Sequence, residues 1–125
     1  MGRSGLLVLV GVGGAAGALV RWGIHEAWTT GAFPWATLLV NILGCALLGV
    51  ITAGAFSPSA KRLAGTGFAG GLTTFSTFTV EIVELLDAGR AGLAVLYLVV
   101  SLITGVAAFV LARSAAGGPA IEAPA

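Results

Sequence analysis

Gly65-Thr66-Gly67-Phe68-Ala69-Gly70-Gly71-Leu72-Thr73-Thr74-Phe75-Ser76-Thr77-Phe78 lies inside an uncharged run from Leu63 to Val80. The run is about long enough to cross the hydrocarbon core of a bilayer. It nevertheless holds four glycines and five hydroxyl residues within the quoted stretch. Glycine favours irregular backbone, and non-helical backbone at membrane depth survives only when buried in protein or lining a wet cavity. A polar, glycine-rich segment where apolar residues are expected therefore reads as the wall of a pore.

Composition supports a membrane setting. Of the 125 residues, 58% are hydrophobic and 9% are Asp, Glu, Lys or Arg, against roughly 25% in soluble domains. So few charges could not cover a soluble surface of this size. The net charge of +1 leaves no basic patch for nucleic acid to neutralise. The single Cys45 lies in an apolar run and reads as a small core residue. No His, Cys or carboxylate cluster has the spacing of metal ligands.

Four uncharged windows flank the charges: Ser4–Val20, Ala27–Ala60, Leu63–Val80 and Ala91–Ala112. Each can supply a helix of about 20 residues, roughly 30 Å long. The expected fold is all-α, with four transmembrane helices near Gly5–Ile24, Pro34–Ala55, Leu63–Leu86 and Ala91–Arg113. The third helix is expected to break at its glycines. Residues 1–113 form one channel domain, and Ser114–Ala125, with two prolines and a glycine pair, reads as a disordered tail.

Trp22, Trp28 and Trp35 cluster around the first connection and read as an interfacial belt. Arg3, Lys61, Arg62 and Arg113 fall on the side of both termini, Arg21 and Arg90 on the other. That bias weakly favours cytoplasmic termini. Arg21 has two readings, a snorkelling interfacial arginine or a cation lining an anion vestibule.

Two other patterns mislead. Leu6–Val10 followed by Gly11–Ala16 imitates a strand entering a dinucleotide-binding turn, but no acidic residue follows at the required distance. The same segment could serve as a signal peptide. Gly13 and Gly17, however, make a small-xxx-small face suited to close helix packing, which favours a retained helix.

No residue pattern is catalytic. His25 has no acidic or nucleophilic partner at a suggestive spacing and reads as an exposed or interfacial loop residue. The helices instead carry uncharged hydrogen-bond donors. Asn41 sits roughly 10 Å below Pro34 along the second helix, where an amide is either interhelical glue or a site residue. Tyr97, Ser101 and Thr104 recur at i, i+4 and i+7, placing three hydroxyls on one face. Phe75 and Phe78 stand at i and i+3 with Ser76 and Thr77 between them. Amide N–H, hydroxyl O–H and the positive edges of phenyl rings together suit an anion. None carries a full charge, so an ion could enter and leave. Carbonyls freed at the glycine break could instead hold a cation.

The segment Gly67–Phe78 resembles the signature of the Fluc/CrcB family of fluoride ion channels. Gly13–Arg21 in the first helix and Asn41-Ile42-Leu43-Gly44 in the second agree with it, and the resemblance covers all four spans. It implies an antiparallel, dual-topology homodimer in the bacterial inner membrane, exporting fluoride passively and relieving fluoride toxicity. It further implies that Phe75 and Phe78 line the fluoride path beside Asn41, Ser76 and Thr77, with Tyr97 and Ser101 beginning a polar track on the fourth helix. Arg21 matches the vestibule arginine. Gly70 and Thr73 match positions whose carbonyls hold a central structural sodium ion. Glu81 either faces the same path or is a helix-end carboxylate with Glu84 and Asp87.

Two departures stand out. The hydroxyl expected one turn after Ser101 is replaced by Gly105, with Thr104 as its substitute. The four-to-two charge bias also admits a heteromeric partner of opposite orientation. The competing function, a proton-coupled small multidrug exporter, requires a membrane-embedded carboxylate, and Gly5–Ile24 contains no Asp or Glu. A non-transporting assembly subunit would not need a hydroxyl-rich third helix.

Overall fold

A computed structural model describes residues 2–28 and 31–119. Among these residues all regular structure is helical. Helix α1 spans Arg3–Ala27 and α2 spans Trp35–Ala53. Helix α3 is a continuous rod built from Pro58–Ala60, Lys61–Ala69 and Gly70–Leu72. Helix α4 covers Ser76–Asp87 and α5 covers Ala91–Ala115. By length and composition, α1, α2 and α5 are each able to cross a membrane. With that, the chain is an all-α, multi-pass membrane protein.

Local chemistry sets the ends. Ser57 starts α3 by accepting the Ala60 N–H on its hydroxyl at 3.2 Å, with Pro58 in the first turn. Gly89 closes α4 at φ 71°, which lets the Arg90 N–H reach back to Leu85 O at 2.8 Å. The α1 helix continues past Ile24 through Ala27, so His25 lies in its last turn instead of a loop. Helix α5 runs to Ala115 and closes through Gly117, at φ 76°. The end of the expected tail, residues 120–125, lies outside the described residues.

Lipid tails give helices little hydrophobic reason to associate, so close approach of backbones must do it. Two glycine stripes meet for this purpose. Gly13 and Gly17 on α1 face Gly67 and Gly71 on α3, and a Cβ on Gly17 would collide with Phe68 O and Leu72 N. One on Gly71 would enter the backbone of Gly14. Between Lys61 and Ala69 the rod is wound as a π-helix, a form concentrated at functional sites, and the Gly70 N–H reaches Gly65 O. The small face read from the first helix is therefore a packing seam with α3.

Helix α2 fills the space between α3 and α5. Gly49 lies against Phe109 O, and Gly44 against the methyl of Thr73. A separate cluster of Leu38, Phe78, Leu85, Ala94 and Tyr97 joins α2, α4 and α5. Replacing Gly17 with Leu is expected to abolish the folded, monodisperse protein in detergent size-exclusion. Overpacking a core costs roughly 1–3 kcal/mol, and backbone cannot yield as side chains do. Gly11→Leu, where nothing lies within 4 Å of the added carbon, is the control expected to elute normally.

Candidate functional site

Helical geometry stops at Thr73, whose ψ of 156° is extended, and resumes at Ser76. The interruption falls after Gly70 and Gly71 because those glycines are still helical, with Gly71 packed on α1. What holds the non-helical turn open is Asn41. Its Oδ1 accepts the Thr74 N–H at 2.8 Å and its Nδ2 donates to Thr74 O at 3.1 Å. The amide thus replaces, with matched geometry, both ladder bonds that a helix would have given Thr74. Asn41 is glue for the interruption and a lining residue at once.

Diverting these groups has a consequence for two carbonyls. In an unbroken helix the Thr74 N–H would close on Gly70 O and the Thr77 N–H on Thr73 O. Here the first goes to Asn41, and the second goes to Thr74 Oγ1 at 3.1 Å. Gly70 O receives the Thr73 hydroxyl only at 3.5 Å, a length too great for a strong bond. Carbonyl oxygens released in this way suit a hard cation. The donor set of Gly70 and Thr73 therefore fits sodium.

Asn41, Thr73, Thr74, Phe75, Phe78 and Ser101 line one cavity of about 310 Å³, together with Cys45, Leu48, Leu102 and Gly105. Within it the Ser101 hydroxyl is buried and, among the described residues, has no hydrogen-bond partner. An orphaned buried hydroxyl costs about 1–3 kcal/mol unless a ligand or water meets it. The rings of Phe75 and Phe78 stand 6.0 Å apart at 37°. Their exposures differ sharply: Phe75 is 78% exposed, whereas Phe78 is 7% exposed and belongs to the core. Ser76 and Thr77 sit beside the rings, both hydroxyls within reach of Thr74 Oγ1, at 3.3 and 3.0 Å.

The fourth-helix hydroxyls divide. Tyr97 is fully buried against Phe78 at 5.0 Å, and its hydroxyl donates to Glu81 Oε2 at 2.8 Å. Ser101 lines the cavity. Thr104 donates to Val100 O on its own helix at 2.6 Å, and Gly105 rather than Thr104 lines the cavity. Glu81 also accepts from Thr37 Oγ1 at 2.7 Å, so it points inward between α2 and α5.

Arg21 is half-buried and donates from Nε to Gly71 O at 3.1 Å. It lines a second cavity of about 280 Å³ with Ala18, Trp22, His25 and Thr77. Thr77 thus adjoins the arginine cavity, while Phe75 and Phe78 adjoin the serine cavity. Three site residues escaped the sequence reading: His25, Thr37 and Thr74. Thr74 could have been found, since Thr74 and Thr77 have the i, i+3 spacing of a helix cap. Nothing in the sequence pairs His25 with Thr37, twelve residues later and on another helix.

The sequence is similar to those of known proteins. A fluoride-specific ion channel of Rhodococcus jostii is 45% identical over 104 residues, covering 82% of this chain and 90% of the relative. One from Bacillus subtilis is 48% identical over 99 residues, covering 76% and 75%. One from Bordetella avium is 49% identical over 98 residues, covering 74% and 78%. The family model described as CrcB-like protein, Camphor Resistance (CrcB), matches residues 8–113. With residues 8–113 matched, the chain belongs to the CrcB family.

Proposed function

We propose that the protein is a fluoride-specific ion channel, not an enzyme, and that it lets fluoride leave the cell passively. The observation that carries this reading is the unpartnered, buried Ser101 hydroxyl in a cavity shared with Asn41, Phe75 and Phe78. A small anion is the ligand that this set of uncharged donors lacks. Asn41 has one N–H left after pairing with Thr74, and the ring edges of Phe75 and Phe78 add positive potential. Weak acid enters a cell as HF and dissociates in a less acidic cytoplasm. A channel returns the trapped anion down its gradient and relieves toxicity, in a bacterial inner membrane.

The finer assignments follow. Fluoride passes Asn41, Phe75, Ser76, Thr77, Phe78 and Ser101, with Arg21 raising anion concentration in the vestibule and Tyr97 at the start of the fourth-helix track. Thr104, spent on its own helix, contributes least. The segment from α3 through α4 acts as a fourth, broken span. Two copies pack antiparallel, and the exposed Gly70, Phe75 and apolar outer face of α1 would be covered by the second copy. The freed carbonyls of Gly70 and Thr73, with their counterparts in the second copy, hold a structural sodium ion. That ion would supply fixed positive charge where the interruptions cross.

Purified protein in liposomes decides the matter. Loaded fluoride is expected to leave rapidly after potassium ionophore is added, and loaded chloride is expected to stay. Equal loss of both ions, or retention of both, removes the fluoride reading.

A further inference from the structure

Four hydrogen bonds run in series across four helices, α1, α2, α4 and α5. His25 Nδ1 lies 2.9 Å from Arg21 O, and His25 Nε2 lies 2.9 Å from Thr37 Oγ1. Thr37 Oγ1 lies 2.7 Å from Glu81 Oε1, and Tyr97 Oη lies 2.8 Å from Glu81 Oε2. Every contact needs one proton between its two atoms, so the chain needs four. Arg21 O is a carbonyl and can only accept, which requires a proton on Nδ1.

Two placements satisfy all four contacts. In one, His25 carries both ring protons, Nε2–H donates to Thr37, and Thr37 and Tyr97 donate to a Glu81 carboxylate. In the other, Glu81 holds the proton on Oε1 and donates to Thr37, which donates to a neutral His25 at Nε2. They interconvert by moving one proton through the Thr37 hydroxyl, and their total charge is the same. With one proton fewer, some contact sets two acceptors face to face and must open.

We propose that His25, Thr37, Glu81 and Tyr97 form a proton-binding site holding a single shared proton, whose occupancy sets the charge at this mouth of the protein. Solvent reaches it through a cavity of about 290 Å³ lined by His25, Trp28, Phe33, Trp35, Glu81 and Arg90 among others. The other charged groups around it are Arg21 and Glu26 on α1, Glu84 on α4 and Arg90 after α4. Helix α2 brings only the Thr37 hydroxyl, and α5 brings Tyr97. With the proton present, His25 and Glu81 sum to zero charge; without it they sum to −1. Resting on the fluoride reading, this predicts that flux falls as pH rises. One unit charge within about 10 Å, at an effective dielectric of about 20, changes anion occupancy on the order of tenfold.

The test has two arms. His25 is the only histidine, so ring ¹⁵N spectra of labelled full-length protein report it alone. At fixed pH near neutrality, Glu81→Gln is expected to reduce the fraction of His25 with both ring nitrogens protonated. Identical spectra in wild type and Glu81→Gln would overturn the shared proton. In liposomes, wild-type fluoride efflux is expected to fall about tenfold between about pH 5 and 9, corrected for leak through protein-free vesicles. His25→Gln is expected to flatten that dependence. A flat wild-type profile, or the same slope in His25→Gln, overturns the charge effect. If no variant carries fluoride at any pH, the channel reading fails while the spectra still decide the proton site.

Discussion

Phe75→Ile is expected to lower fluoride efflux from liposomes by up to about tenfold and to leave the protein folded. The reason lies in how unequal the two rings are. Phe75 is 78% exposed and packs into no core, so a branched aliphatic residue there removes a ring edge without opening a hole. Phe78 instead belongs to the cluster of Leu38, Leu85, Ala94 and Tyr97. Its truncation would cost roughly 3–5 kcal/mol of stability and confuse the result. An edge interaction at the upper end of the aromatic range, about 1.5 kcal/mol, is worth about tenfold in occupancy. Efflux recorded with a fluoride electrode, beside an unchanged size-exclusion profile, checks both halves. Normal efflux in this variant would remove Phe75 from the ion's path.

Asn41→Asp is expected to do more. Asp retains an acceptor for the Thr74 N–H, so the helix interruption keeps its more demanding bond. It loses the donor to Thr74 O and places a carboxylate in the cavity. A negative charge about 5 Å from a passing anion, at an effective dielectric of about 20, opposes it by roughly 3 kcal/mol. Efflux should therefore fall on the order of a hundredfold. Asn41→Ala would be less informative, since it leaves Thr74 without either bond and threatens the fold. An Asn41→Asp variant that conducts as well as wild type would place the anion elsewhere.

Several features were open to reading before any coordinates. Three helices announced themselves through apolar length, and the interfacial tryptophans through their clustering around one connection. All three tryptophans are at least 47% exposed. Asn41, Phe75, Phe78 and Ser101, selected from three different spans, share one cavity. Polar residues in an apolar background are conspicuous because the bilayer makes each of them costly. Where the background was already polar, the signal vanished. His25 near a predicted loop looked unremarkable, and its partner Thr37 looked like one more helix residue.

The sequence by itself determined that this chain lives in a membrane, where its helices run and which residues are too polar to face lipid. Hydropathy and helical period are local quantities, so they are written residue by residue. The tertiary structure decided what the quoted stretch does. The sequence points to a break over Gly70–Thr73, yet Gly70 and Gly71 stay helical, and Gly71, like Gly67, serves close contact with α1. The helical interruption sits instead at Thr73–Phe75, where Asn41 from another helix supplies both lost backbone bonds. A glycine permits irregular backbone, but only a partner elsewhere in the chain makes that irregularity stable. Pairing between distant groups, whether Asn41 with Thr74 or His25 with Thr37 and Glu81, depends on how helices pack. No local pattern encodes it.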